Sequence, residues 1–148
     1  MALYHIANGP MQTTAQFAGV TTGTSIKTML QVKPSATLMA KIIEWGFSID
    51  GHASNTGLQV ELIETDVAAT VTAAVLADIT KYDAAALSGG NQTTNLIQVG
   101  TAATGYTATA EGSIAAVRNL ALPQYVYGVQ ATSFVQQFPL GREPVIQI

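Results

Sequence analysis

The sequence predicts an all-β protein, a jelly-roll-like antiparallel β-sandwich with at most one or two short helical turns. Three observations favour this fold class: apolar and polar residues alternate over residues 38–50, further short strand candidates recur at fairly regular spacing, and glycine or proline separates many of them. Short strands in such a series are typical of sandwiches and jelly rolls. Because 148 residues is the usual length of one domain, we expect a single domain over residues 1–148.

The clearest strand pattern covers residues 38–50. From residue 43 onward apolar side chains occupy every second position, which predicts a strand with one buried face: Ile43, Trp45, Phe47 and Ile49. Turn-forming residues follow at 51–57, and a second alternating stretch covers 58–63. We expect these two strands to pair as a hairpin with a longer loop.

Strand candidates on either side of this pair are shorter and are bounded by turn-forming residues. They cover residues 25–32, 107–114, 125–129 and 134–138. Residues 73–78 favour one or two helical turns, because alanine has the highest helix propensity, although nearby threonine opposes it. Residues 88–105 are rich in Gly, Asn, Gln and Thr, which predicts a long loop with one strand at 96–99.

Charged side chains are unusually scarce in this chain. Asp, Glu, Lys and Arg make up 10% of the residues, against about 25% in an average soluble protein, and the mean hydropathy is +0.30. A free monomer normally presents a charged surface, so the composition favours a protein whose surface is covered by partners or by copies of itself. The alternative is a small protein solvated by its abundant hydroxyl and amide side chains.

The same composition disfavours several function classes. The chain has no cysteine, which excludes disulfides, thiolate metal sites and a cysteine nucleophile. Its net charge is −3 and its six Lys and Arg residues are dispersed, whereas phosphate binding needs a clustered basic face, so we expect no nucleic-acid partner. The apolar runs are short, and the N-terminus lacks a basic stretch followed by a long apolar one, so we expect neither a signal peptide nor a membrane anchor.

No pattern for catalysis, cofactor binding or metal binding stands out. His5 and His52 lie in none of the spacings that place two imidazoles on one metal. The chain has no G-x-S-x-G nucleophile elbow and no phosphate-binding glycine loop. Glu44 and Glu61 could face each other on the predicted hairpin like a glycosidase pair, but two solvated carboxylates, bridged by Lys41, are the better interpretation. We therefore expect no enzymatic activity and no cofactor.

Tyr125 and Tyr127 lie two residues apart on a predicted strand and so share one of its faces. Tyrosines on a sheet face can line a subunit interface. They can also stack on a sugar ring, so a carbohydrate-binding jelly-roll module is an alternative function.

Three segments of the chain resemble the small head decoration proteins, also called cement proteins, of tailed bacteriophages. They fall at the beginning, middle and end: Met1-Ala2-Leu3-Tyr4-His5-Ile6-Ala7; Lys41-Ile42-Ile43-Glu44-Trp45-Gly46-Phe47-Ser48-Ile49-Asp50-Gly51 with Leu58-Gln59-Val60-Glu61-Leu62-Ile63; and Gln137-Phe138-Pro139-Leu140-Gly141-Arg142-Glu143-Pro144. The resemblance implies a jelly-roll domain on the outer surface of the virion capsid, often a homotrimer, that stabilises the joints between major capsid proteins. Another virion structural protein, such as a tail or head-fibre component, is the alternative.

The terminal segments, residues 1–12 and 139–148, are natural docking arms for such a protein. Pro139 and Pro144 would stiffen an extended path, Arg142 would offer two parallel donors to a carboxylate, and Glu143 could take a cation. The alternative is an ordinary last strand in which Arg142 and Glu143 pair locally. The candidate interface residues are Tyr4, His5, Tyr125, Tyr127, Phe138, Pro139, Arg142 and Glu143.

Overall fold

The structure is a computed structural model, and it describes residues 3–8, 28–34, 39–50, 57–71, 79–82, 98–100, 121–126 and 131–146. These residues form ten strands and no helix. The strands are β1 (Tyr4–Ile6), β2 (Gln31–Lys33), β3 (Ala40–Lys41), β4 (Glu44–Ile49), β5 (Leu58–Ile63), β6 (Ile79–Lys81), β7 (Gln98–Gly100), β8 (Ala121–Val126), β9 (Thr132–Gln137) and β10 (Val145–Ile146). Within the described ranges they pair as five antiparallel two-stranded sheets.

The backbone divides into two compact units. The first comprises Met1–Met39, Val67–Ser113 and Gln147–Ile148, and the second comprises Ala40–Asp66 and Ile114–Ile146. The sheets β1·β6 and β2·β7 belong to the first unit, and the sheets β3·β10, β4·β9 and β5·β8 belong to the second. The single domain expected over residues 1–148 stays a prediction.

In the first unit, a glutamine side chain extends the pairing of β2. The Ala69 amide donates to Gln31 Oε1 at 2.7 Å, and Gln31 Nε2 donates back to the Ala69 carbonyl at 3.2 Å. This exchange satisfies both backbone groups of Ala69, which is only 8% exposed, so its burial leaves no backbone group of that residue without a partner.

In the second unit, the strand pairing is nested. The chain runs through β3, β4 and β5, and later returns through β8, β9 and β10; β5 pairs with β8, β4 with β9 and β3 with β10. The six strands therefore follow one antiparallel ribbon whose two arms lie far apart in sequence.

The inner face of β4·β9 carries three aromatic rings. Phe134 lies directly opposite Phe47, with ring centroids 5.5 Å apart in a stacked arrangement, and meets Trp45 edge-on at 5.3 Å. The Trp45 Nε1–H donates to Gln136 Oε1 at 3.2 Å. Aromatic pairs at these separations stabilise a sheet beyond the area that they bury. All three rings are half-buried.

On the opposite face of the same sheet, position 46 has room only for a glycine. A Cβ on Gly46 would lie 2.5 Å from the Phe134 carbonyl oxygen and 3.2 Å from the Val135 side chain. Contacts this short do not occur in proteins without displacing the neighbouring strand. Gly46 therefore allows β4 and β9 to approach each other at the centre of the sheet.

The sheet β5·β8 has one mainly aliphatic face, on which Gln124 lies opposite Val60. Leu58 lies opposite Val126, which is 8% exposed, and Leu62 lies opposite Leu122. Pro123 lies opposite Glu61 and has no amide hydrogen to donate to a ladder, which is typical of an edge strand. Among the described residues, the most buried apolar side chains are small ones.

Several strand predictions are confirmed. The alternating pattern at 38–50 forms β3 and β4, with Trp45, Phe47 and Ile49 on one half-buried face. Ile43, predicted on the same face, lies between these strands and is 39% exposed. Strands are also present where 58–63 and 134–138 were predicted. Of the strand predicted at 125–129, residues 125 and 126 belong to β8, which begins earlier, at Ala121, and residues 127–129 lie outside the described residues. Residues 28–30 are not a strand, so of the described part of the predicted strand 25–32 only 31 and 32 belong to β2. The strand predicted at 96–99 within the 88–105 loop is present as β7 over its described residues, Gln98–Gly100. The predicted strand at 107–114 and the helical turns at 73–78 lie outside the described residues.

The predicted hairpin is wrong. The strands β4 and β5 do not pair with each other, because each takes a partner from the returning arm of the ribbon. Alternation along a strand records which face is buried, but it does not record which other strand completes the ladder.

Candidate interaction surface

A loop of residues 139–143 projects from the ribbon between two pairs of strands. The Ile42 amide donates to the Pro144 carbonyl at 3.0 Å, and the Phe138 amide donates to the Ile43 carbonyl at 2.8 Å. The two hydrogen bonds involve consecutive residues, 42 and 43, on one arm of the ribbon. On the other arm they involve residues 144 and 138, which are six positions apart. The intervening residues leave the ladder, and both ends of the 139–143 loop are fixed by backbone hydrogen bonds.

The 139–143 loop is built on a tight turn. The Arg142 amide donates to the Pro139 carbonyl at 2.9 Å, and Gly141 has a φ of 85°. A hydrogen bond from the fourth residue to the first, with positive φ at the third, is the signature of a type II β-turn. Glycine adopts this φ without strain, whereas a residue with a Cβ does not. A Cβ at position 141 would have no neighbouring atom within 4 Å, so the only cost of adding one is this backbone strain.

Glu143 closes the 139–143 loop. Its Oε2 accepts a hydrogen bond from the Gly141 amide at 2.9 Å and lies 3.8 Å from Lys41 Nζ on strand β3. The Glu143 side chain is 6% exposed, against 49% for Lys41. Hydrogen bonds from its own backbone amide and from the Gly141 amide, with a smaller contribution from the Lys41 charge, hold the pKa of Glu143 below its ordinary value of 4.5. The Glu143 carboxylate therefore makes its contacts within the protein, with the Gly141 amide and Lys41.

The side chain at the top of the turn is apolar and almost completely solvent-accessible. Leu140 is 97% exposed, and it sits between the two residues whose backbone groups close the turn. Arg142, beside it, is also exposed. The 139–143 loop thus presents one apolar side chain and one cation on a constrained backbone, an arrangement suited to binding a surface.

Four of the predicted interface residues are brought together here: Phe138, Pro139, Arg142 and Glu143. Phe138 is half-buried at the base of the loop, while Pro139 and Arg142 are exposed. The extended path expected for residues 139–144 is wrong, because the chain turns at 139–142. The C-terminal segment is also not a free arm over its described length, since β10 pairs with β3. The alternative, an ordinary last strand with a local Arg142–Glu143 pair, fits in its strand, β10, whereas the carboxylate of Glu143 pairs with Lys41.

Tyr4 and His5 lie on β1 in the first unit. Tyr4 is half-buried and pairs across the ladder with Lys81. The exposed His5 ring meets the Tyr82 ring edge-on at 6.3 Å, and the Tyr82 amide donates to the Leu3 carbonyl at 3.0 Å. Residues 3–6 are therefore tied into a sheet, and their role as a docking arm stays a prediction.

The two predicted tyrosines on the returning arm are described only in part. Tyr125 lies in β8 opposite Gln59. Tyr127 lies outside the described residues. A shared tyrosine surface stays a prediction.

The two carboxylates considered for catalysis lie on different ladders. Glu44 Oε2 accepts a hydrogen bond from Gln137 Nε2 at 2.6 Å across β4·β9, and Glu61 lies on β5 opposite Pro123. Lys41 does not bridge them, because its ion pair is with Glu143. Over the described ranges, no group of three or more His, Asp or Glu side chains is placed to hold a metal ion.

Sequence reasoning missed two residues of this surface, Leu140 and Lys41. Leu140 lies in the predicted docking segment 139–148 but was not among the named interface residues; the Pro-Leu-Gly order of 139–141, between two strand patterns, is a turn signal that could have singled it out. Lys41 reaches Glu143 only because β3 pairs with β10, a long-range pairing that leaves no local signal.

Comparison of the chain with protein-family models, with curated proteins and with solved structures finds no match. None of the described residues belongs to a helix that is long and apolar enough to cross a membrane.

Proposed function

We propose that this chain is a structural capsid decoration protein of a tailed bacteriophage, which binds the outer surface of the head and stabilises contacts between major capsid proteins. The observation that carries the proposal is the 139–143 loop. The closing segment of the chain, one of the three that resemble decoration proteins, forms a constrained projection that carries a leucine at 97% exposure.

The composition supports a role in an assembly. With 10% charged residues, the chain has few side chains that would keep a separate monomer solvated. Large apolar side chains are also exposed on described strands of the second unit, among them Val135 at 64%. Burying exposed apolar area of this kind against a partner stabilises an assembly. A homotrimer bound to a capsid lattice would bury it against the other subunits and the capsid, and would repeat these contacts at every lattice position.

The nested pairing of the second unit supports a jelly roll as the full fold. A jelly roll places its strands in two packed antiparallel sheets, and its topology can be described as a long antiparallel ribbon rolled upon itself. In such a ribbon the first strand pairs with the last and the second with the next to last. The pairs β3·β10, β4·β9 and β5·β8 follow this order.

Binding to heads tests the proposal. Purified protein would be mixed with expanded heads assembled without it, and the bound fraction and the thermal resistance of the heads would be measured. We expect saturable binding and a higher disruption temperature. Heads already decorated with the protein are the matched control and should take up no more. Absence of both binding and thermal protection would refute the proposal.

The carbohydrate-binding module and the tail or head-fibre component remain the alternatives. No contact among the described residues favours either of them. Binding to a glycan array would support the first, and recovery of the protein with tails but not with heads would support the second.

A further inference from the structure

We propose that Leu140 is the anchor through which this protein docks, and that its docking site on the partner is an apolar pocket with an acidic rim. The inference rests on the proposed function, under which the partner is the major capsid protein. It assigns the binding role to one side chain and states the chemistry of the surface that receives it.

Leu140 has the exposure expected of an anchor and makes no visible contribution to the fold. It is 97% exposed, whereas the next most exposed large apolar residues among those described, Met39 and Tyr82, are at 65%. Val135, at 64%, still packs beside Gly46. A leucine that stays 97% exposed gains little from folding, so nearly all of the hydrophobic gain remains available to a partner.

The backbone that carries Leu140 is already in one conformation. The turn hydrogen bond from Arg142 to Pro139, the contact of Glu143 with the Gly141 amide and the two ladder bonds at the base all restrict it. Ordering a flexible loop on binding lowers affinity, and a constrained loop avoids that loss. Binding hot spots are single well-placed side chains of this kind, inserted into a pocket and surrounded by weaker contacts.

The charges around Leu140 indicate which charge the rim of the partner's pocket should carry. The Glu143 carboxylate is engaged by the Gly141 amide and by Lys41, and its side chain is only 6% exposed. Arg142 is exposed, and Lys41 remains 49% exposed. The charge of the loop that remains exposed is therefore the positive guanidinium of Arg142, and carboxylates around the pocket would complement it. Two copies meeting loop to loop would place Arg142 against Arg142, which opposes a symmetric self-contact.

The test measures binding of single variants to expanded heads that lack the protein. Leu140→Ala should bind about 30-fold more weakly than the natural protein, the loss typical of a removed hot spot. Met39→Ala is the matched control, since it also truncates an exposed apolar side chain, and should bind within about twofold of the natural protein. Arg142→Gln should weaken binding and flatten its dependence on salt concentration. Circular dichroism and sedimentation of each variant alone verify the fold and the oligomeric state.

Each outcome decides between the two proposals. If the natural protein binds heads and Leu140→Ala binds equally well, the anchor role is refuted while the decoration function stands. If Leu140→Ala loses its self-association instead, the occupant is a second copy of this chain and the proposed partner is wrong. If the natural protein does not bind heads, the decoration function fails and the inference fails with it.

Discussion

The β4·β9 sheet and the 139–143 loop are neighbours along the chain but are stabilised in opposite ways. The sheet is held by side chains, above all by the rings of Trp45, Phe47 and Phe134. The loop is held by backbone groups and one carboxylate, and its largest apolar side chain contacts water. Apolar side chains thus build the ribbon in one region, while polar contacts in the other leave an apolar side chain available for binding.

The largest effect is expected in the sheet. Trp45→Ala removes two aromatic contacts and the hydrogen bond to Gln136, and it should lower the free energy of unfolding by about 2 to 3 kcal/mol. The loss should be smaller than for a fully buried tryptophan, because Trp45 is half-buried. Urea denaturation measures it. A change near zero would mean that the aromatic cluster does not stabilise the ribbon.

The next effect comes from the close approach of β4 and β9. Gly46→Ala would push a methyl group against the Phe134 carbonyl, and displacing the strand should cost about 1 to 3 kcal/mol. Urea denaturation again measures the loss. Ser48→Ala, on the same exposed face of β4, is the matched control and should be nearly neutral. Equal stability of the two variants would show that the strands lie farther apart than described here.

In the loop, a backbone change should matter more than a side-chain change. Gly141→Ala places a Cβ on a residue with φ of 85° and should destabilise the protein by about 1 kcal/mol. Gly141→Asn should cost less, because asparagine tolerates this conformation better. Thermal unfolding of both variants checks the order. Alanine and asparagine variants of equal stability would argue against the type II turn.

The loop should also respond to acid. Because folding lowers the pKa of Glu143, its stabilising contribution is fully present above pH 4.5 and is lost as the pH falls through the lower pKa of the folded state. The Gly141 amide resonance, followed by NMR, should therefore titrate below pH 4.5, and this titration should disappear in Glu143→Gln. A midpoint at or above 4.5 would contradict the described hydrogen bonds.

The local patterns of the sequence predicted the strands better than the connections between them. Alternation identified β4 and its half-buried face, because neighbouring residues of a strand point to opposite faces and the pattern is therefore visible in a short stretch of sequence. It could not identify β9 as the partner of β4, since that pairing depends on which distant segment fits the same face.

The interaction surface shows the same limit. Phe138, Pro139, Arg142 and Glu143 were found as a group because they are adjacent in sequence. Their roles were not found, since the partner of Glu143 is Lys41, brought in by β3·β10. Leu140 lies in the predicted docking segment 139–148, but its role was not found, because its exposure depends on the turn at 139–142.

The smallest effect on stability is expected for Leu140→Ala, although this variant should lose the most in binding. Leu140→Ala should change the free energy of unfolding by less than about 0.5 kcal/mol, because the side chain contacts solvent. Urea denaturation beside Trp45→Ala makes the contrast direct. A loss comparable to that of Trp45→Ala would place Leu140 in a core and would remove the distinction between the two regions.

The most direct measurement is the position of residue 140 on decorated heads, seen by electron cryomicroscopy. We expect the Leu140 side chain to lie inside an apolar pocket of the major capsid protein, with carboxylates near Arg142. A map in which the protein sits on the head with the 139–143 loop pointing into solvent would contradict this expectation.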